Sequence, residues 1–169
     1  MASVVRQLEA AVMSALGAEL GDAAKVIGER AYTQQGSVKT SDGDGRPEVI
    51  VAVAPAVADN YASPVISFDV AVAVRLEWAD DPTIKAFDDT AEIVERLLMR
   101  YNDNANIATM SEALTTDNFR CDGLRLGGGQ DNIDASGQRP AITTTFNFSV
   151  KGIYIETQAD TTNTNTQEG

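Results

Sequence analysis

The sequence predicts an α+β fold: an antiparallel β-sheet of about four strands with two main helices packed on one face, in the order α-β-β-α-β-β. Three observations predict it. Pro64 to Trp78 alternates between apolar and polar or small residues, which is the period of a strand with one buried face. Pro82 to Tyr101 repeats apolar residues every three or four positions, which is the period of an amphipathic helix. Pro140 to Ile155 alternates again and predicts a second long strand.

The first long strand and the helix after it are joined by a short acidic turn. The apolar positions of this strand are Ile66, Phe68, Val70, Val72, Val74, Leu76 and Trp78. The apolar stripe of the helix consists of Ile84, Phe87, Ala91, Val94, Leu98 and Tyr101. Asp81 is placed to cap the helix, and Pro82 suits its first position.

The chain before this pair predicts a helix and a strand. Ser3 to about Leu20 has the apolar spacing of an amphipathic helix that ends near Gly17 or Gly21. Asp22 to Arg30 is compatible with either a second short helix or a loop. Glu48 to Val57 alternates as a strand, and its proline at position 55 indicates a bulge or an end at a sheet edge.

The second half of the chain combines strands with polar segments. Phe119 to Leu126 predicts a strand, and a bulge is expected at Gly152, where the alternation of the last strand shifts. Gly127 to Arg139 is rich in glycine and predicts a flexible loop in a β-hairpin arm. We therefore expect a single domain over residues 1–156 and a disordered polar tail over 157–169.

Composition excludes several functions. The formal charge is 13 − 25 = −12, which argues against a protein that grips nucleic acid through phosphates or docks on an anionic membrane. The chain has no histidine and one cysteine, so it lacks the residues for His-based catalysis, for an internal disulfide and for a cysteine metal cluster. No apolar run is long enough to span a membrane, and the N-terminus does not resemble a signal peptide.

The acidic pairs are the remaining candidates for chemistry. Asp80 and Asp81 stand at a helix start, where the helix dipole favours acids, and Asp88 and Asp89 belong to the polar side of that helix. A third motif, from Asp42 to Gly45, begins like a calcium loop, but its twelfth position is a valine rather than a glutamate. We therefore predict no enzyme activity and no catalytic, cofactor-binding or metal-binding residues.

One face of the predicted sheet carries no large apolar stripe. Its residues are Asp69, Ala71, Ala73, Arg75, Thr143, Thr145, Asn147 and Ser149. This open face is expected to be solvated, and its small and hydroxyl side chains would also suit packing against a neighbouring subunit.

Three stretches resemble the tail terminator, or tail completion, proteins of long-tailed bacteriophages. They read VISFDVAVAVRLEWADD, TIKAFDDTAEIVERLL and LRLGGGQDNIDASGQRPAITTTFNFSV. The resemblance covers most of Ala2 to Ile155 and consists of patterns of size and polarity. The long loops between strands and the Thr/Asn-rich tail depart from the family.

The resemblance implies a structural virion protein of the tail neck, assembled in the host cytoplasm. It implies a homo-oligomeric ring, commonly a hexamer, that caps the tail tube protein, joins it to the head–tail connector protein and lets DNA pass without specific binding. The segments Thr33 to Arg46 and Gly127 to Arg139 would be its partner-binding arms. The alternatives are another phage neck, tube or baseplate protein, a small ligand-binding α+β domain that dimerises through its open face, and a carboxylate-based hydrolase.

Overall fold

A mixed β-sheet forms the centre of the fold in the computed structural model, which describes residues 3–29, 46–55, 65–77, 84–99, 112–134 and 141–155. The elements in chain order are α1 (Val4–Leu20), a short 3₁₀ helix (Gly21–Ala23), β1 (Lys25–Gly28), β2 (Glu48–Pro55), β3 (Val65–Glu77), α2 (Ile84–Met99), β4 (Phe119–Asp134) and β5 (Ala141–Tyr154).

The sheet corrects the predicted fold class. Among the described residues it has five strands in the order β1-β2-β3-β5-β4, and β1 runs parallel to β2 while the other pairs are antiparallel. The prediction of an antiparallel sheet of about four strands in the order α-β-β-α-β-β is therefore wrong. The prediction missed β1, which has only four residues and is too short to show a period.

The segment from Asp22 to Arg30 contains this additional strand, so both predictions for it, a second short helix and a loop, are wrong over the strand. Gly21 adopts a φ of 53°, a left-handed conformation that suits glycine, and ends α1 by donating its N–H to the carbonyl of Gly17. The strand then satisfies backbone groups on the outer side of β2, because Val26 pairs with Val49 and Gly28 with Val51. It covers β2 only as far as Val51, so Pro55 lies beyond the part that β1 pairs.

Both long strands have the predicted buried face. On β3 the side chains of Phe68, Val70, Val72, Val74 and Leu76 are buried. The neighbouring strand β5 pairs with β3 without interruption from Ala141 to Ile153, so its buried residues lie directly beside them. This register aligns the apolar sides of the two strands into one surface.

The two helices cover that surface. Contacts join α1 to β1 and β2, α2 to β3, and the helices to each other. Helix α1 buries Leu8, Val12, Leu16 and Leu20, spaced as predicted. Helix α2 buries Phe87, Thr90 and Val94, and Ala91 is half-buried. The side chains of Ile84, Leu98 and Tyr101, also assigned to this stripe, lie outside the described set.

Strand β4 is twice as long as the strand predicted at its start, because it has 16 residues and continues to Asp134. The flexible loop predicted from Gly127 to Arg139 is therefore a strand over its first eight residues. Pairing with β5 explains this, since Gly128 to Asp134 pair along Asn147 to Ala141 and backbone bonding does not require large side chains.

The irregularities of this hairpin also differ from prediction. The register shifts lie on β4, between Cys121 and Gly123 and between Leu126 and Gly128. Gly152, where a bulge in β5 was expected, pairs regularly with Ile66 of β3. That expectation is wrong because the extra residue belongs to the opposite strand.

Several predictions concern residues outside the described ranges. These are the Asp42 to Gly45 motif, most of the first predicted arm, the turn at Asp80 and Asp81, residues 135–139, and the tail from 157 to 169.

Asn118 links three parts of the chain and gives a first prediction. Its buried amide accepts a hydrogen bond from Gln7 Nε2 of α1 at 3.0 Å and donates one to the carbonyl of Ile155 at 3.4 Å. We expect Asn118→Ala to lower the free energy of unfolding by about 1–3 kcal/mol, because buried polar partners lose their bonds. Asn147→Ala on the exposed open face should change it by no more than about 0.5 kcal/mol. Urea denaturation measures both, and equal losses would contradict this role for Asn118.

Candidate functional site

The open face of the sheet is assembled as the sequence predicts. Register pairs Asp69 with Ser149, Ala71 with Asn147, Ala73 with Thr145 and Arg75 with Thr143. Asp69 and Asn147 are exposed, and the other six side chains are half-buried. The arrangement gives a continuous polar surface of small side chains on the side of the sheet away from the core.

Ion pairs hold one end of this face. Arg75 bonds Glu77 on its own strand and lies 3.8 Å from the carboxylate of Glu48 on β2. The Arg75 side chain is 22% exposed, so most of it is covered by its neighbours. Its charge is neutralised locally, and Arg75 is therefore a poor candidate for binding an anionic ligand.

A shallow depression of about 410 Å³ lies on the open face. Its polar lining comes from Glu29, Asp69, Asn147 and Ser149, and the bulge residue Gly127 forms part of its wall. The carboxylates in this lining are those of Glu29 and Asp69. In the part of the chain that the structure describes, no group of three or more His, Cys, Asp or Glu side chains could hold a metal ion.

The acidic pairs do not form a catalytic cleft within the described residues. Asp88 and Asp89 are both exposed on α2, as expected for solvated charges on the polar side of a helix. Asp80, Asp81 and the acids of the first polar segment lie outside the described ranges.

A second concavity lies on the helix side of the sheet, and sequence reasoning missed it. This groove of about 490 Å³ runs between α2 and the distal half of the β4–β5 hairpin. Its lining combines apolar and acidic side chains: Phe87, Ala91, Ile133, Ile142, Phe146, Asp88, Glu95 and Asp131. The available signal was Ile133, a single large apolar residue in a polar stretch.

The hairpin side of the groove is ordered by cross-strand pairs. Ile133 pairs with Ile142, and Asp131 pairs with Thr144, whose hydroxyl donates a hydrogen bond to the Asp131 carboxylate at 2.8 Å. Ile133 is nevertheless 65% exposed. The groove thus combines an apolar floor with acidic groups beside it, a combination that is common in contact surfaces.

Comparison with models of known protein families and with curated proteins found no match for this chain. None of the described helices combines the length and the apolar character needed to cross a lipid bilayer.

Proposed function

We propose that this chain is a structural subunit without enzyme activity, which assembles into a ring of identical copies at the neck of a phage tail. In this proposal the ring, commonly a hexamer in the family that the sequence resembles, caps the tail tube and joins it to the head–tail connector. The assembled protein would be located in the virion.

The observation that carries the proposal is the division of the sheet into one covered and one open face. The helices cover the apolar face, while the open face presents the half-buried side chains of Ala71, Ala73, Thr143 and Thr145. Small side chains permit close approach of another subunit, and hydroxyl groups can form hydrogen bonds across a contact. A long hairpin at the sheet edge adds a second surface within reach of neighbouring copies.

Charge supports the same proposal. At −12 the chain would give a ring a strongly negative potential, and a negative lumen would repel DNA phosphates. DNA could then move through such a ring without binding to its wall. An acidic chain is a poor candidate for a protein that holds DNA.

The mass of the purified protein tests this proposal. Each chain has a mass of 18.0 kDa, so a ring of six copies would have 6 × 18.0 = 108 kDa. We expect size-exclusion chromatography with light scattering to give a discrete oligomer, and negative-stain electron microscopy to show closed rings. A monomer at every concentration, alone and with the purified tail tube protein, would contradict the proposed function.

A further inference from the structure

The large apolar side chains that are exposed lie at two separate ends of the hairpin sheet. In the described part of the chain they are Val65, Ile133, Tyr154 and Ile155, which are 41–65% exposed. Ile133 lies near the tip of the β4–β5 hairpin, and the other three lie where β3 begins and β5 ends. Exposed apolar groups of this size mark contact surfaces.

The first end is the groove already described, which we name the acidic groove. Its apolar floor contains Phe87, Ile133 and Ile142, and its charged groups within the described residues are Asp88, Glu95 and Asp131. Among the residues that the structure describes, no Lys or Arg lines it. It therefore suits a partner surface that is apolar and positively charged.

The second end, which we name the basic end, has those two properties. Val65, Ile153 and Arg120 form one row across β3, β5 and β4 on the open face. Strand alternation places Lys151 and Ile155 on the same face, two residues to either side of Ile153. Arg120 and Lys151 are exposed. Arg120 lies 3.1 Å from Asp122, and no Asp or Glu pairs with Lys151 in the register of the sheet.

We infer that the basic end of one copy docks in the acidic groove of the next, head to tail. The inference rests on the proposed function, since it names the subunit contact of the proposed ring. Each surface supplies what the other lacks: apolar groups meet apolar groups, and Lys151 meets the carboxylates of the groove, while Arg120 keeps its own partner Asp122 at the margin of the contact. Docking of the two surfaces removes their exposed apolar area from water. It also brings the positive charge of the basic end next to the carboxylates of the groove, which repel one another in the free subunit.

One chain cannot satisfy both surfaces by itself. From Ile142 to Tyr154 the same strand runs twelve residue steps, about 40 Å at the usual rise, and the surfaces lie on opposite faces of the sheet. Contact between two different patches is heterologous, so it continues from copy to copy, and it closes into a ring when the rotation between successive copies adds up to a full turn. A head-to-tail contact of this kind is the type that a ring requires.

Charge reversal at the groove tests the contact. We expect Asp88→Lys with Asp131→Lys to convert the oligomer to monomer in light scattering, while circular dichroism stays unchanged because both side chains are exposed. The net charge would change from −12 to −8, which weakens general self-repulsion. A loss of assembly therefore cannot come from net charge. The matched control, Glu19→Lys with Asp22→Lys, makes the same change on exposed residues outside both surfaces and should leave the oligomer intact.

The basic end has its own variant and control. Lys151→Glu should also yield monomers, whereas Lys25→Glu, at an exposed lysine on β1, should not. Mixing the two monomeric proteins, the groove variant and Lys151→Glu, should then restore association, with a 1:1 dimer as its first product. The intact basic end of the groove variant fits the intact groove of Lys151→Glu, and the two reversed surfaces also carry opposite charges, so larger assemblies can follow.

The outcomes separate this inference from the proposed function. If the wild type forms rings and the groove variant and Lys151→Glu form the same rings, the docking inference is wrong and the ring proposal survives. If each variant is monomeric but the mixture gives no dimer, the two surfaces do not bind each other and the inference is also wrong. A wild type that is monomeric under all conditions overturns both.

Discussion

Replacing Phe119 with alanine is expected to lower the free energy of unfolding by about 3–5 kcal/mol. The ring is completely buried at the start of β4, and it meets Phe68 edge-to-face with ring centroids 5.4 Å apart. Truncation removes this aromatic pair and leaves a cavity between β4 and β3 that the paired strands cannot close. Urea denaturation with linear extrapolation measures the loss.

The comparison variant for this experiment is Phe119→Leu, which keeps most of the buried volume. Phe119→Leu should lower the free energy of unfolding by no more than about 1.5 kcal/mol, since hydrophobic replacements of similar volume are tolerated best. The turn before the strand should persist in both variants, because Thr116 and Phe119 exchange backbone hydrogen bonds of 2.7 and 3.3 Å. All variants should be measured at the same protein concentration, because assembly raises the apparent free energy of unfolding. Similar losses in the two variants would show that this ring does not determine core packing.

Long elements with a buried face could be predicted from the sequence. Helix α1 and strands β3 and β5 each bury most of their apolar side, so the periodicity needed for packing is visible in their residues. The same holds for the spacing of Phe87 and Val94 in α2. Here the local pattern and the tertiary environment impose the same requirement.

Elements defined by backbone pairing could not be predicted in this way. Strand β1 contributes only Val26 and Ile27 as large apolar residues, and its parallel direction is set by β2 rather than by its own sequence. The distal half of β4 is polar and rich in glycine, yet it is a strand because β5 supplies hydrogen-bond partners. Strand propensity is a weak guide where a neighbouring strand determines the conformation.

Of the two candidate surfaces, one could be predicted from local sequence patterns and the other could not. The open face follows from alternation on two strands, so its members could be named in advance. The acidic groove joins α2 to residues at least 36 positions further along the chain, from Glu95 to Asp131, and includes a strand that was expected to be a loop. Its lining depends on register, and register is determined by pairing rather than by local residue type.

The second large effect is expected at Gly152, where an added methyl group has no room. A Cβ at this position would lie 2.1 Å from the backbone oxygen of Arg120 and 2.4 Å from Cζ of Phe119. A backbone oxygen within a paired strand cannot move aside as a flexible side chain can. We therefore expect Gly152→Ala to lower the free energy of unfolding by about 1–3 kcal/mol or more, because β4 must separate from β5.

Gly123→Ala is the matched control for Gly152→Ala, since the two glycines lie one residue pair apart in the same hairpin. A Cβ at Gly123 would meet no atom within 4 Å, and neither glycine has a positive φ. The control should be neutral or stabilising by up to about 1 kcal/mol, because alanine reduces the entropy of the unfolded chain.

Amide hydrogen exchange should show faster exchange in β4 for Gly152→Ala than for Gly123→Ala. If the two variants match in stability and exchange, the close approach of β4 to Gly152 does not constrain the fold. If only Gly152→Ala lowers the free energy of unfolding strongly, glycine is needed at this position because β4 leaves no space for a side chain. The glycine would then explain why the apolar alternation of β5 shifts at this position although β5 itself has no bulge.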